Sequence, residues 1–266
     1  MNAQIKSMKD LERIREQGLK TISPEVPKIT VGMATCGLAT GARPVFQAIQ
    51  EELAKAPAKA VLAKTSCIGY CEMEPIVEVY RPGEPRLIFK QVTADRAREL
   101  VKDLLACKLE AKAALCSLDG FPEPSARKKR SEAPPLEELP FYQKQNKIAL
   151  WRCGRIDPES LAEFVASGGY ASLLRTLEKL SPEEAIKAVE DSGLRGRGGA
   201  GFPTGKKWRF AREAAGRPKY LICNADEGDP GAYMDRSLLE GDPFALLEGM
   251  TIGAFAIGCQ QGFIYV

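Results

Sequence analysis

The chain contains no histidine among its 266 residues. Because imidazole is the usual general base beside a serine or cysteine nucleophile, Ser–His and Cys–His catalytic pairs are excluded. Zinc sites that need histidine ligands and imidazole acid–base catalysis are excluded for the same reason. Chemistry carried by an organic redox cofactor needs no imidazole and remains open.

Long apolar runs, a strong charge imbalance and a CxxC motif are also missing. The most apolar stretch, residues 250–259, is interrupted by Thr251 and two glycines and falls short of the ~20 residues that cross a bilayer, so we expect a buried helix and no membrane insertion. With 38 basic and 35 acidic residues, the chain has no general attraction for nucleic acid. The absence of CxxC excludes a thioredoxin-type redox pair.

The polar beginning, MNAQIKSMKD, is atypical of a secretory signal, so we expect a cytoplasmic location.

Glycine and basic residues are concentrated in residues 192–208, which read SGLRGRGGAGFPTGKKW. Glycine adopts positive φ without a Cβ clash and lets backbone N–H groups converge on an anion, so this segment predicts a phosphate-binding loop. The GxGxxG dinucleotide motif is unsuitable because a helix precedes the segment, and the P-loop motif fails because Ala200 occupies a required glycine position. A mobile linker is the alternative, although Phe202 and Trp208 are atypical of one.

A short apolar run at residues 220–223 predicts a strand that opens into the acidic loop NADEGDPGAYMD. Ligands of open α/β sheets bind at the carboxyl ends of strands. Asn224, Asp226 and Glu227 are therefore candidates to contact whatever the glycine loop holds. A solvated turn is the alternative, since these residue types are common in turns.

Together, GLRGRGGAGFPTGKKW and NADEGDPGAYMDR resemble the flavin-bearing, NADH-oxidising subunit of respiratory complex I. The same family includes the NAD-linked subunits of soluble hydrogenases and formate dehydrogenases, and the resemblance covers about residues 147–266. It implies that the glycine loop holds the phosphate and ribityl chain of FMN. The residues implied in this contact are Gly196, Arg197, Gly198 and Lys207.

The resemblance also implies a reaction, in which NADH passes a hydride to FMN and single electrons then move to iron–sulfur clusters. It places Asn224, Asp226 and Glu227 at the flavin and the incoming nicotinamide, and it places Phe202 on the adenine of NADH. We assign Glu227 the catalytic role, as an orienting and electrostatic group. The expected partners are other subunits of a multimeric NADH dehydrogenase, hydrogenase or formate dehydrogenase, which would hold the chain at the inner face of the cell membrane.

Three cysteines, Cys36, Cys67 and Cys71, form a second group of interest. Two thiolates spaced as CxxxC in a glycine-containing loop can bind one iron, and a third thiolate from a distant loop can bind a second iron. This part of the chain resembles the thioredoxin-like 2Fe-2S ferredoxin domain that accompanies the flavin subunit. The resemblance implies a 2Fe-2S cluster on these three thiolates.

The fourth cysteine of the ferredoxin pattern is missing, because Gly41 stands in its place. Cys107 and Cys116 are possible replacements, although the first falls late in a predicted helix and the second in a predicted linker. A domain that kept the fold with three reduced thiols is the main alternative to cluster binding. Zinc is a further alternative that lacks a histidine to complete its tetrahedron.

The predicted fold class is α/β, in three parts. Residues 1–110 are expected to form a thioredoxin-like domain, 111–140 a proline-rich linker, and 141–266 the first half of a Rossmann-like FMN-binding domain. We expect this second domain to be incomplete at its carboxyl end, with a 4Fe-4S cluster only in the missing part. The basic run at 127–130 is read as a solvated part of the linker rather than a nucleic-acid site.

Apolar periodicity and turn residues predict the individual elements. In the first domain we expect helices at 8–17, 44–55 and 94–105, and strands at 29–33, 60–64, 76–81 and 86–91. In the second we expect strands at 148–152, 220–223 and 262–266, and helices that begin at 157–158, 181–182 and 242–243. Ser181 and Glu184 predict a capping box at the second of these helices.

A different function class is compatible with the same residues. The chain could be a non-catalytic ferredoxin-like electron carrier or assembly module that docks to a soluble NAD-linked hydrogenase or formate dehydrogenase. Flavin binding separates the two hypotheses, because only the NADH dehydrogenase requires FMN.

Overall fold

The computed structural model describes residues 7–56, 59–118, 121 and 131–266. Within it the chain forms two compact units. The amino-terminal unit comprises Arg13–Ser167 and Ser237–Asp242; the carboxy-terminal unit comprises Gly168–Arg236 and Pro243–Val266 with residues 7–12. Both units contain helices and strands, so the predicted α/β class is confirmed. The basic run at 127–130 lies outside the described residues.

Five strands form the sheet of the amino-terminal unit. They are β1 (Lys28–Gly32), β2 (Val61–Thr65), β3 (Val77–Tyr80), β4 (Arg86–Phe89) and β5 (Cys116–Leu118). The helices in this part of the chain are α1 (Met8–Ile22), α2 (Thr35–Ala39), α3 (Ala42–Ala54), α4 (Ala94–Leu105) and α5 (Leu161–Ala166). The strand order is β2-β1-β3-β4-β5.

The connections in this sheet follow a βαβ unit and then a ββα unit. β1 and β2 are parallel and are joined through α2 and α3, whereas β3 is antiparallel to β1 and β4 is antiparallel to β3. α4 follows the β3–β4 hairpin, and this is the order expected of a thioredoxin-like domain. Ile29 and Val79 are paired across β1 and β3 and fully buried, because α3 and α4 cover the sheet.

One predicted helix bound in this unit is corrected, and one strand forms that was not predicted. α1 does not end at Gly18 but continues to Ile22. A Cβ at Gly18 would lie 1.9 Å from the carbonyl oxygen of Ala162, so this glycine serves close packing rather than helix termination. The predicted linker contains β5, which pairs with β4 and extends the sheet.

Residues 141–167 also pack in the amino-terminal unit. The strand predicted at 148–152 is wrong, because these residues form turns. The helix predicted to begin at 157–158 begins at Leu161, where the Ser160 hydroxyl accepts a hydrogen bond from the backbone N–H of Glu163. The boundaries 1–110, 111–140 and 141–266 stay a prediction about domains.

The carboxy-terminal unit contains a two-stranded parallel sheet and a group of helices. Its strands are β6 (Tyr220–Asn224) and β7 (Gln261–Tyr265); its helices are α6 (Ala171–Lys179), α7 (Pro182–Asp191), α8 (Thr204–Glu213) and α10 (Pro243–Ile257), and α9 (Met234–Gly241) begins in it. The predicted capping box is present at Ser181 and Glu184. Ile186 and Ala256 are fully buried and pack with Trp208, which joins α7, α8 and α10.

Within the described ranges, every helix is too short or too polar to span a bilayer.

Candidate functional site

The glycine-rich segment forms a closed loop in front of α8. Arg195 and Pro203 pair as an antiparallel bridge. On either side of this bridge, the N–H of Gly196 donates to the carbonyl of Phe202 and the N–H of Thr204 donates to the carbonyl of Leu194, both at 2.9 Å. These bonds fix the two ends of the loop, and residues 197–201 form its tip.

The tip of this loop leaves room for a ligand. A Cβ built on Gly198, Gly199 or Gly201 would have no other heavy atom within 4 Å, apart from those of its own chain neighbours. Gly199 and Gly201 have φ of +97° and +60°, which side chains other than glycine rarely adopt. The sequence therefore places glycine where the backbone turns sharply and where an added side chain would project into open space.

Positive charge surrounds this space. Arg197 and Lys207 are exposed, and Lys207 lies in the first turn of α8. The guanidinium of Arg197 donates to the carbonyl of Arg195, so it is turned towards its own loop. The amino end of α8 adds the partial positive charge of the helix dipole.

An ion pair joins α7 to the middle of α8. The guanidinium of Arg209 makes two hydrogen bonds to the carboxylate of Glu190, at 2.7 Å from Nε and 2.5 Å from Nη2. Arg209 and Glu190 are both partly exposed. The hydrogen bond from Arg209 is the main cause that lowers the pKa of Glu190. Because the glycine loop connects α7 to α8, this pair fixes both helices that flank the loop.

The predicted acidic loop begins where β6 ends. Asn224 is the last residue of β6, and its side-chain oxygen accepts a hydrogen bond from the N–H of Asp226 at 3.1 Å. The N–H of Ala225 donates to the carbonyl of Tyr265 at 2.8 Å, which holds this loop to the end of β7. The site residues Asn224 and Asp226 are both exposed.

The carboxylate of Glu227 binds the amino end of α9. It accepts hydrogen bonds from the backbone N–H groups of Asp235 at 2.9 Å and Arg236 at 3.1 Å. Desolvation opposes ionisation, but the backbone N–H groups outweigh it and lower the pKa of Glu227. The side chain is therefore a fixed negative charge, and its catalytic role stays a prediction.

The carboxyl end of α8 is held near the chain that leads into β7. Arg212, in the last turn of α8, donates to the carbonyl of Ala256 at 3.0 Å, near the end of α10, from which the chain enters β7. That the glycine loop and the acidic loop face one ligand stays a prediction.

Phe202 is 46% exposed beside the glycine loop. Its ring centroid lies 6.4 Å from that of Phe210, in a tilted arrangement. An aromatic face is thus open to solvent next to the loop, and the stacking of Phe202 on adenine stays a prediction.

The three cysteines predicted to bind metal lie together in the amino-terminal unit. The Sγ atoms of Cys36, Cys67 and Cys71 are all within 4.8 Å of one another. Cys36 lies in α2, and the CxxxC pair lies in the loop after β2, with its two Sγ atoms 3.8 Å apart. The N–H of Gly69 donates to Cys67 Sγ at 3.2 Å. The fold therefore brings both segments of the motif to one place.

The thiols affect one another's ionisation. A hydrogen bond from Cys67 is the main cause that lowers the pKa of Cys36 to about 6, and the same bond raises the pKa of Cys67. Burial raises the pKa of Cys71. Cys36 is thus the group that ionises first, and a thiolate is the form that binds a metal ion.

Sequence reasoning missed Glu74, which belongs to the same site. Its Oε1 lies 3.9 Å from Cys36 Sγ, and its side chain is buried with 4% of the residue exposed. Oε2 accepts a hydrogen bond from the N–H of Ile76 at 2.7 Å. Burial is the main cause that raises the pKa of Glu74 to about 7. Its position three residues after Cys71 is the only signal in the sequence.

A second missed residue, Lys147, borders the CxxxC loop. Its ammonium group donates to the carbonyl of Ile68 and lies 4.6 Å from the ring centroid of Tyr142. Burial is the main cause that lowers the pKa of Lys147. The side chain holds the loop between Cys67 and Cys71 against residues 142–147.

Three thiols can bind a metal cluster, but a 2Fe-2S cluster takes four protein ligands. Neither of the two proposed replacement cysteines joins the group among the residues that the structure describes. Cys107 is exposed after α4, and Cys116 is buried in β5. The donor set of three thiols therefore fits such a cluster only with a further ligand.

Comparison with known proteins agrees with the resemblance inferred from the sequence. Residues 189–266 match the family model of the Nuo51 FMN-binding domain. An NADH-quinone oxidoreductase subunit of Rhizobium meliloti is 50% identical over 110 residues, which cover 41% of this chain and 26% of the relative. An NADP-reducing hydrogenase subunit, HndC, of Solidesulfovibrio fructosivorans is 51% identical over 123 residues, which cover 46% of this chain and 25% of the relative. The predicted resemblance is confirmed, and the chain spans about a quarter of the length of these relatives.

Two solved structures are similar at lower levels. An NAD+-reducing [NiFe]-hydrogenase is 25% identical with a TM-score of 0.36, over 96% of this chain and 40% of the other. A thioredoxin-like [2Fe-2S] ferredoxin from Aquifex aeolicus is 24% identical with a TM-score of 0.31, over 35% of this chain and 93% of the other. TM-scores below 0.5 do not establish a shared fold.

Proposed function

We propose that this chain carries the flavin-binding part of an NADH-oxidising subunit, which accepts a hydride from NADH onto FMN and passes electrons to iron–sulfur clusters. The observation that carries the proposal is the open glycine loop between Arg195 and Pro203. This loop lies in the segment that matches the Nuo51 FMN-binding domain. The chain spans only part of its relatives, so the activity of the whole protein belongs to the proposal.

The loop suits the phosphate of FMN in shape and charge. Gly198 and Gly199 leave open the space that side chains would fill, and their N–H groups can approach an anion. We propose that Gly196, Arg197, Gly198 and Lys207 hold the phosphate and ribityl chain. When bound, FMN accepts two electrons as a hydride from NADH and releases them one at a time.

In this proposal the acidic loop contacts the isoalloxazine ring of the flavin and the nicotinamide of NADH. Asn224 ends β6 and Asp226 lies in the loop after it, and we propose that a flavin held by its phosphate at the start of α8 extends towards both side chains. Glu227 is fixed by the amino end of α9 and presents a negative charge that orients the nicotinamide. The exposed ring of Phe202 stacks on the adenine of NADH.

The proposal extends to partners and location. One relative is a quinone oxidoreductase subunit and another a hydrogenase subunit by name, so we propose that this chain works in a multimeric NADH dehydrogenase, hydrogenase or formate dehydrogenase. A cytoplasmic position at the inner face of the cell membrane, held by partner subunits, follows from this assignment.

Flavin binding by the full chain tests the proposal. FMN fluorescence is titrated with the purified protein under anaerobic conditions, and NADH is then added to bleach the flavin absorbance. We expect Lys207→Ala to weaken FMN binding about tenfold, since a charge-assisted hydrogen bond contributes about 1.5 kcal/mol or more.

The matched control is Lys179→Ala, which removes the same charge from the exposed end of α6. It should leave FMN affinity unchanged. Equal loss of affinity in both variants would show that only net charge matters, and full affinity in Lys207→Ala would remove the phosphate assignment. If the chain binds no FMN, the electron-carrier or assembly hypothesis becomes the better description.

A further inference from the structure

We propose that Glu74 is the fourth protein ligand of a two-iron, two-sulfide cluster whose other ligands are Cys36, Cys67 and Cys71. The inference rests on the proposed function, in which electrons pass to iron–sulfur clusters. It goes further by placing one such cluster at these three cysteines and by naming the missing ligand. It replaces the cysteine expected at Gly41 with a carboxylate from a different loop. It makes the site a three-thiolate, one-carboxylate centre.

Each of the four donor atoms lies close to at least one of the others. Cys67 Sγ and Cys71 Sγ are 3.8 Å apart, and Cys36 Sγ and Glu74 Oε1 are 3.9 Å apart. Two thiolates that bind one metal ion tetrahedrally at ~2.3 Å lie about 3.8 Å from each other. All three Sγ atoms lie within 4.8 Å of one another. In this proposal the CxxxC pair, whose spacing suits a single metal ion, binds one iron, and Cys36 with Glu74 binds the other.

The surroundings of Glu74 are shaped for its carboxylate. A Cβ on Gly32 would lie 3.1 Å from Oε2, so glycine at this position leaves room for the carboxylate. A Cβ on Gly37 would lie 3.3 Å from the same atom but only 2.4 Å from the carbonyl oxygen of Gly32, so Gly37 serves first the close approach of α2 to the end of β1. The N–H of Ile76 fixes Oε2, which leaves Oε1 turned towards Cys36.

The buried carboxyl of Glu74 is also placed where a bound metal ion would favour its charged form. Among the residues that the structure describes, no lysine or arginine forms an ion pair with Glu74, although the buried carboxylates of Glu78 and Glu163 are each paired with one. An unpaired carboxylate buried beside three thiols is unfavourable. The positive iron ions of a cluster compensate it, whereas a cluster held by the three thiols alone leaves one iron without its fourth ligand.

In the ferredoxin pattern the fourth ligand is a cysteine at position 41. Gly41 has no side chain, so this position cannot supply a ligand here. Gly41 has φ of +105° and precedes α3, and a Cβ there would meet no other atom within 4 Å. The expected position of a fourth cysteine thus opens onto empty space in this chain. Glu74 fills the ligand role from a different loop, three residues after Cys71.

Iron binding by the full chain tests the assignment. The protein is reconstituted with iron and sulfide under anaerobic conditions, and iron and acid-labile sulfide are measured per chain. We expect about two of each in the wild type. Mössbauer spectra should show two inequivalent irons, because one has four sulfur neighbours and the other has three and a carboxylate oxygen.

Two variants and one control complete the test. Glu74→Gln should lower the iron content at least fivefold, since an amide is a poor iron ligand. Glu74→Cys should keep the cluster and make the two irons nearly equivalent. Glu72→Gln, on an exposed side chain two residues earlier, should match the wild type in both measurements.

Several results would overturn the assignment. These are an unchanged cluster in Glu74→Gln, equivalent irons in the wild type, or uptake of a single metal ion without sulfide. If Glu74→Gln fails to fold, the wild-type Mössbauer spectrum still decides. None of these measurements uses FMN or NADH, so failure of the flavin proposal and failure of this one are seen separately.

Discussion

Gly205 lies against the backbone of Glu190, and a Cβ at this position would come within 2.6 Å of the Glu190 nitrogen. Gly205 is the second residue of α8, and Glu190 lies in the last turn of α7. The absence of a side chain therefore lets the two helices that flank the glycine loop come into contact. The glycines of this segment have two roles, because Gly205 serves packing and Gly198 faces open space.

Alanine substitution should separate these two roles. We expect Gly205→Ala to lower the free energy of unfolding by about 1–3 kcal/mol, as overpacking does elsewhere, and to shift α8 away from α7. Gly198→Ala should leave the unfolding free energy within about 0.5 kcal/mol of the wild type, yet weaken FMN binding severalfold. Thermal denaturation followed by circular dichroism measures the first effect. A Gly205→Ala protein as stable as the wild type would show that the close approach is absent.

Acid should weaken the contact between α7 and α8. A hydrogen bond from Arg209 lowers the pKa of Glu190, and one from Arg212 lowers the pKa of Glu183, both from an ordinary value of 4.5. A lowered pKa in the folded chain means that the stabilisation is present above pH 4.5 and is lost as pH falls through the folded pKa. Melting temperatures of the wild type and of Arg209→Gln should therefore differ at neutral pH and converge in acid. A constant difference down to about pH 3 would contradict this.

The buried ion pair between Lys28 and Glu163 should be costly to break. Its Nζ–Oε1 distance is 3.2 Å, both side chains are 5% exposed, and Lys28 also donates to the carbonyl of Thr21 at 2.8 Å. Lys28→Met leaves the Glu163 charge buried and unpaired, so we expect a loss of about 3 kcal/mol in unfolding free energy.

An exposed pair provides the control for this prediction. Lys187 and Asp191 are 2.9 Å apart, with 68% and 62% of their side chains exposed. Lys187→Met should cost under about 1 kcal/mol in urea denaturation. Adding Glu163→Gln to Lys28→Met should recover part of the loss, since it removes the unpaired charge. Similar costs for the two lysine variants would argue against a buried pair.

The cysteines outside the proposed cluster should differ in reactivity. Burial raises the pKa of Cys116 to about 12 and that of Cys153 to about 11, whereas Cys107 is exposed. Because the thiolate is the nucleophile, iodoacetamide at mildly alkaline pH should modify Cys107 well before the other two. Mass spectrometry of tryptic peptides measures the order. Early modification of Cys153 would show that residues 141–167 open readily.

Local sequence signals predict those elements whose stabilising contacts are close in sequence. α4 has the predicted bounds, with Thr93 accepting a hydrogen bond from the N–H of Arg96, and the β3–β4 hairpin forms where the turn residues indicate. The capping box of α7 and the strand before the acidic loop are also as predicted. In each case a few neighbouring residues supply the hydrogen bonds or the apolar face.

The wrong predictions concern residues whose partners are distant. Gly18 is typical of a helix end, but it meets the backbone of Ala162. The apolar run at 148–152 favours a strand, but Arg152 forms an ion pair with Asp242, 3.0 Å away, and the segment turns instead. The strand β5, which lies in the segment predicted as a linker and pairs with β4, was not predicted. No local pattern contains these partners, so single-sequence reasoning could not find them.

The sequence by itself determined the kinds of chemistry available: glycine and cations for an anion, three thiols for a metal, and no imidazole at all. Residue types and short spacings are enough for this, because backbone freedom and ligand softness are local properties. Only the tertiary structure decided that Glu74 lies beside Cys36 and that Gly205 packs on Glu190. Such contacts depend on how strands and helices pack, since only folding brings residues from distant segments within bonding distance.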